Sequence, residues 1–219
     1  MISLKALGAL LMYPQPELIE ALPEIGAVLE AEKALSRQDK AQLAGLIAEL
    51  RGAELLDAQE RYVELFDRGR ATSLHLFEHV HGDSRSRGQA MVDLRAMYER
   101  AGLRLSANEL PDYLPAVLEY LSLRPLAEVR DMLRDCAHIL RAVGDALAGR
   151  ESRYSAVFGA LLSVAGEEGL SRVPEPCRSP EEERRALDEE WIDKPVLFGL
   201  GAGDARPAAQ VVKFVKRTP

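Results

Sequence analysis

Apolar side chains return every three or four positions along most of this chain, the period of a helix with one buried face. Leu4, Leu7, Leu10 and Leu11 mark a first helix over 2–12, stopped at Tyr13-Pro14 because a residue before proline is driven out of the α region. The spacing returns in Leu18, Ile19, Leu22, Ile25, Val28 and Leu29, with Pro23 either opening a new turn or kinking the helix. Ser36 followed by Asp39 is a capping-box variant ahead of the stripe Leu43, Leu46, Ile47 and Leu50, which Gly52 ends. A helix over 55–66 puts Tyr62, Leu65 and Phe66 on one face and breaks at the charged corner Asp67-Arg68-Gly69-Arg70.

The apolar spacing resumes at Leu74, Leu76 and Phe77, stops at His81-Gly82, and restarts through Ala90, Met91, Leu94 and Tyr98, with Asp83 or Ser84 as the cap of the new helix. Ala101-Gly102 closes that helix and 103–108 reads as a loop. Pro111 and Pro115 then frame a stiff link, each at a position where a first-turn proline is tolerated, into a helix through Val117, Leu118, Tyr120 and Leu121. Leu126, Val129, Leu133, Cys136, Ala137, Leu140, Val143 and Leu147 predict one long amphipathic helix, and Val157, Phe158, Leu161, Leu162 and Val164 a last one ending near Gly166 and Gly169. Beyond Leu170 the composition turns to Pro174, Pro176, Pro180 and a run of acids. It predicts an extended or disordered acidic tail over 171–219, with a short helix near 181–191, attached to an all-α single-domain helical bundle over 1–170.

Composition narrows the function. With 219 residues and 47% hydrophobic content the chain can bury one sizeable core, and its Leu, Ala, Glu and Arg richness suits helices. A net charge of -7 argues against nucleic acid, whose phosphates demand an excess of Lys and Arg, and favours a basic partner. Cys136 and Cys177 fit no metal spacing, so the expectation is a reduced, cytoplasmic protein without a disulfide. Lys5 ahead of a short apolar run faintly mimics a signal peptide, but Pro14 and Pro16 stand where a cleavage site belongs. No apolar stretch approaches the roughly 20 residues a bilayer needs, so direct membrane insertion is not expected.

Two chemistries compete for the polar residues. Glu78 with His81 and Asp135 with His138 are carboxylate-x-x-His pairs, and His75 with His79 share a helical face, which suggests a helical metal-binding protein or metalloenzyme using His75, Glu78, His79 and His81. Against it, a di-metal bundle needs inward ligands from four helices, His81 abuts a glycine turn, and His138 has no second carboxylate on an evident partner. Ordinary polar surface accounts for the same residues. Asp83, Arg85 and Arg87 read either as a solvated turn or as the rim of a groove. The link around Pro111 reads either as a plain connector or as part of a binding surface.

Three strings tip the balance. Tyr62-Val63-Glu64-Leu65-Phe66-Asp67, then Gly82-Asp83-Ser84-Arg85-Ser86-Arg87-Gly88, then Glu109-Leu110-Pro111-Asp112-Tyr113-Leu114-Pro115 occur in the order and near the spacing of the NarJ family, assembly chaperones of respiratory nitrate reductase, which this chain closely resembles. The resemblance is dense over 60–122, thinner over the first helix and around 191–198, and absent elsewhere. It implies the helical fold of molybdoenzyme assembly chaperones and no catalytic residue, cofactor or metal of the chain's own. It also implies a client: the apo catalytic (alpha) subunit of respiratory nitrate reductase, or its complex with the beta subunit, held by an N-terminal segment until molybdenum cofactor is inserted. Contact with cofactor delivery proteins follows from the same role, and a chaperone for another molybdoenzyme is the neighbouring alternative. In the wider family the hinge usually carries an Asp-His pair; here Tyr113 replaces the histidine.

The expected site is therefore a groove for an amphipathic helix, with apolar floor, polar rim and acid enough to attract a basic segment. Glu109, Asp112 and Glu119 are expected to meet the client's positive charge, Tyr113, Leu114 and Pro115 to give apolar contact, Asp83, Arg85 and Arg87 to orient its backbone, and Tyr62 and Phe66 to serve as core or groove floor.

Overall fold

A computed structural model of the chain describes residues 1–80, 85–105 and 109–171, the side chains of Arg85 and Ser86 excepted. Among the described residues ten α-helices follow one another: α1 (Ile2–Leu10), α2 (Pro16–Ala31), α3 (Arg37–Gly52), α4 (Leu55–Phe66), α5 (Leu76–Val80), α6 (Arg85–Arg100), α7 (Leu114–Ser122), α8 (Leu126–Asp135), α9 (Ala137–Gly149) and α10 (Ser155–Ala165), with a 3-10 turn at Arg70–Thr72. The fold is all-α, as the periodicity implies. The one extended pairing among the described residues is a single antiparallel bridge between His75 and Tyr113. No helix of the described residues is long and apolar enough to cross a membrane.

Two packing centres hold the helices. α1 lies antiparallel against α7: the Met1 amino group donates to the Ser122 carbonyl, Lys5 Nζ pairs with Glu119 Oε1 at 3.0 Å, and Gly8 lets the Pro115 backbone come close. Leu4, Leu7, Leu10 and Leu11 are buried on that seam and Leu118 and Leu121 face them. The other centre is α10, apolar on every side and buried almost throughout, packed against α3, α8 and α9. A helix with no polar face belongs inside a bundle. The capping box is present at α3, where the Ser36 hydroxyl accepts the Asp39 amide and Asp39 Oδ2 accepts the Ser36 amide. The same carboxylate takes the Ser163 hydroxyl of α10 at 2.8 Å, so the cap also ties α3 to the central helix. Gly166 ends α10 with a left-handed φ of 77°, which any Cβ would disfavour.

One open alternative closes and two local expectations change. α2 runs through Pro23, whose ring is exposed. Pro111 lies in a turn rather than in the first turn of a helix, and only Pro115 occupies the opening turn of α7. The stripe from Leu126 to Leu147 is two helices broken at Cys136, whose φ of -93° and ψ of 0° lie in the bridge region and whose thiol donates to the Met132 carbonyl. The break keeps phase: Val129, Leu133, Ala137, Leu140, Val143 and Leu147 all stay buried, so the apolar spacing carries no trace of it. The boundary expected at 170 falls at the edge of the described residues. The tail from 172 onward, with its expected helix near 181–191, lies outside them.

α9 crosses α10 closely because Gly144 has no side chain. A Cβ there would meet Phe158 Cβ at 2.8 Å and Leu170 Cδ2 at 2.4 Å. The Leu170 tip can move but the Phe158 Cβ is fixed to its helix. Gly144→Ala is therefore expected to cost about 1–3 kcal/mol by overpacking, read as a fall in the urea midpoint with unchanged slope.

Candidate functional site

Asp112 anchors the polar centre of the molecule and has 0% exposed surface. A carboxylate is taken out of water only where donors replace the water. Here Oδ2 accepts the Phe77 amide at 3.1 Å and Oδ1 faces His75 Nδ1 at 3.2 Å. The backbone adds two bonds across the same gap, from the Leu114 amide to the Leu74 carbonyl at 2.8 Å and from the Leu76 amide to the Asp112 carbonyl at 3.1 Å. The proline-framed link is thereby stitched to the start of α5. From the other side the buried Tyr98 of α6 donates its hydroxyl to the Pro111 carbonyl at 2.7 Å. The stiffness that the prolines imply is completed by these bonds.

This burial corrects the expectation for Asp112, which is no rim acid. Its charge is consumed inside the protein, where it positions His75 and the amino end of α5. Leu114 and Pro115 are likewise buried, Pro115 against α1, and belong to the core rather than to an exposed contact surface.

Beside this clamp runs a row of rings, exposed at Tyr13, half-buried at Tyr113 and His75 and buried at Tyr62 and Phe66. Exposed Tyr13, at 42%, meets Tyr62 edge to face at 5.5 Å between ring centres. The Tyr62 hydroxyl donates to the Leu11 carbonyl at 2.8 Å and lies 3.5 Å from the Tyr113 hydroxyl. The half-buried Tyr113 ring lies 5.4 Å from that of His75. Phe66 packs behind, 4.8 Å from Tyr62 and 5.1 Å from Tyr154. Tyr62 and Phe66 are both buried and belong to the core. Burial pushes the phenols of Tyr62 and Tyr113 up, so both remain neutral at physiological pH. The negative charge of Asp67 raises both further, and that of Glu109 raises Tyr113. Leu110, 47% exposed, precedes the buried turn and gives the row an apolar edge.

The cationic side is built on α5. The Arg70 guanidinium donates to the Glu78 carbonyl, and Glu78 itself accepts the Ser73 hydroxyl at 2.5 Å and Arg87 Nη2 at 3.4 Å. Arg87 therefore joins α6 to α5. Asp83 and His81 lie outside the described residues, as does the Arg85 side chain. Glu119, 58% exposed, pairs with Lys5 and stands five residues beyond Leu114, about 7.5 Å along α7 from the hinge. The structure brings Glu109, Tyr113, Tyr62, Phe66 and Arg87 around the clamp and leaves Glu119 apart.

The candidate metal ligands are engaged otherwise. His75 Nδ1 faces Asp112, His79 Nε2 bonds the Ser73 carbonyl at 2.9 Å, and Glu78 serves Ser73 and Arg87. Among the described residues no three His, Cys, Asp or Glu side chains gather in a way that could hold a metal ion. Site residues missed from sequence are His75, weighed only as a metal ligand, together with Tyr13, Asp67 and Leu110. In the sequence Tyr13 reads only as the stop of the first helix.

Residues 30–159 match the family described as nitrate reductase delta subunit. The chain is 42% identical over 221 residues to the nitrate reductase molybdenum cofactor assembly chaperone NarJ of Escherichia coli (strain K12), covering 98% of this chain and 93% of that one. It is 46% identical over 198 residues to the probable nitrate reductase molybdenum cofactor assembly chaperone NarW of the same strain, covering 89% and 83%. The probable assembly chaperone NarJ of Bacillus subtilis (strain 168) is 27% identical over 169 residues, covering 77% and 91%. The likeness to the first relative spans nearly the whole chain, well beyond the 60–122 block in which motifs are recognisable by eye.

Asp112→Ala is expected to cost about 3 kcal/mol, because it strips the donors of a buried carboxylate of their acceptor. That is about 6–12 °C in melting temperature, and Asp112→Asn should cost less. The Asp112 hydrogen bond holds the His75 pKa above its ordinary value of 6.5, against the opposing effect of burial. Protonation thus stabilises the fold: this contribution is fully present below pH 6.5 and is lost as pH rises through the folded-state value. Melting temperatures measured across that window should fall more with rising pH for the parent than for His75→Gln.

Proposed function

Because the chain belongs to the nitrate reductase delta subunit family, we propose that it is a cytoplasmic assembly chaperone that holds the apo catalytic (alpha) subunit of a respiratory nitrate reductase by its N-terminal segment until molybdenum cofactor is inserted. The observation that carries this reading is the 42% identity, across 98% of the chain, to a protein named for that assembly task. The catalytic subunit, alone or with the beta subunit, is the partner, and the chaperone leaves before the enzyme is complete. It acts by binding and not by catalysis.

The surface supports a binding role of limited strength. Tyr13, Leu110 and Tyr113 offer an amphipathic helix three apolar anchors, each already partly buried. Anchors of this kind contribute about 1–2 kcal/mol each, less some 2–5 kcal/mol for ordering the peptide. Little is left over. Charge must supply the rest, and Asp67 and Glu109 are exposed acids placed to draw in a basic segment. Holding by a few weak terms suits a protein that must release its client.

Titrating synthetic N-terminal peptides of candidate catalytic subunits into the full chain tests the reading. The nitrate reductase peptide should bind and peptides from other molybdoenzymes should bind more weakly. Asp67→Asn with Glu109→Gln should weaken binding about tenfold and flatten its salt dependence, Tyr13→Ala should weaken it about tenfold, and Glu119→Gln should leave it within about twofold. Equal binding of all peptides, or a larger effect at Glu119 than at Glu109, would contradict it.

A further inference from the structure

α4 buries Ala58, Tyr62 and Phe66 in one stripe, so its period settles what it turns to the surface. Beside that stripe come Gln59 and Val63, both half-buried, and then Leu56, which is 67% exposed. The turn after α1 is fastened to the same edge of the helix: the Tyr62 hydroxyl donates to the Leu11 carbonyl and Gln59 Nε2 to the Pro14 carbonyl, both at 2.8 Å. Met12 and Tyr13, between those two anchors, are exposed. An apolar strip thus runs along α4 through Leu56 and Val63, with Met12 and Tyr13 on one flank.

The other flank is acid. Asp57, Glu60, Glu64 and Asp67 follow one another at helical spacing and are all exposed, and none of their carboxylates is held by an ion pair among the described residues. Arg61, one turn on from Asp57, pairs instead with Glu49 of α3 at 2.9 Å. α4 is the less stable for this arrangement. Like charges three and four residues apart on a helix repel, and Glu64 and Asp67 stand at its carboxyl end, where the helix is already negative and its last turn holds no basic residue. A local rule broken with no compensation inside the fold points to a partner that supplies the missing cations.

We propose, resting on the chaperone reading above, that this face of α4 is the track on which the client's N-terminal segment lies as a basic amphipathic helix. Its apolar side covers Leu56 and Val63 against Met12 and Tyr13, and its Lys and Arg residues fall on the flank from Asp57 to Asp67. The distance from Leu56 to Asp67 is about 16 Å of helix axis, so the segment held is about three turns long. Acid on one flank alone selects a helix that is basic on one side of its apolar stripe and neutral on the other. A second copy of this chain, with its net charge of -7, brings the wrong sign to that flank.

The test puts the photo-crosslinker p-benzoylphenylalanine into the full chain at position 56 or, as control, at position 123, where Leu123 is exposed far along the sequence on another helix end. Each protein is irradiated with the N-terminal peptide of a nitrate reductase catalytic subunit. Position 56 should give a peptide adduct and position 123 none. Glu60→Gln with Glu64→Gln should weaken binding about tenfold and flatten its salt dependence, yet melt higher than the parent because the repulsion along α4 is relieved. A peptide whose Lys and Arg are replaced by Gln should bind parent and double variant alike. An adduct at 123 and none at 56, or unchanged affinity in the double variant, would overturn the inference while leaving the chaperone reading intact. Failure of the peptide to bind the parent would sink both. A covalent dimer, or a crosslink within the chain, that forms at position 56 and that the peptide does not displace would give the track to another occupant and overturn the proposal.

Discussion

A carboxylate with no exposed surface must be met by donors, and Asp112 meets that requirement with a backbone amide and an imidazole from a segment far away in sequence. Everything distinctive about the surface above it depends on this clamp. The bridge between His75 and Tyr113 aligns two rings, the Leu114 and Leu76 amides close the gap on either side, and Tyr98 braces the proline turn from below. Without the buried charge the first residues of α5 would lose an acceptor and the rings their common register. The clamp leads directly into α7, which the α1 packing holds in place.

The clamp also divides labour between inside and outside. Asp112 is committed to positioning inside the protein, so under the proposed function the attraction of a basic client falls to Asp67 and Glu109, which are exposed to water, where pairing is weak and salt-sensitive. Apolar anchors that are already partly covered add modestly. Under the proposed function, a surface assembled from such terms would bind a chain terminus weakly enough to release it, which a deep apolar pocket would not.

How much of this could be read from the sequence differs by length scale. Helices were legible because burial on one face imposes a repeat of three to four residues, and Ser36 with Asp39 announced the start of α3 in its own chemistry. The break at Cys136 was not, since the buried stripe passes through it in phase. Pro23 left two local alternatives open, and the packing of α2 chose continuity. The motifs singled out Glu109, Tyr113, Tyr62, Phe66 and Arg87 as candidates, which the structure gathers near the clamp, while Asp112, expected at a rim, is buried. An aspartate between a proline and a tyrosine reads as surface by composition, and only a contact across 37 residues shows that it is inside. His75 drew notice for its spacing to His79, a local signal that pointed to metal, whereas its partner is remote. Tyr13 carried no signal beyond the proline that follows it.

The central claim is that the surface over the Asp112 clamp is where the client terminus lies. Amide shift mapping of the full chain on adding the catalytic subunit's N-terminal peptide tests it most directly. The account predicts that the largest changes fall at Tyr13, Tyr62, Asp67, His75 and 109–113. Changes gathered instead at the other end of the α1 and α7 pair, where Ile2, Leu123 and Leu126 are exposed, with the hinge unmoved, would contradict it.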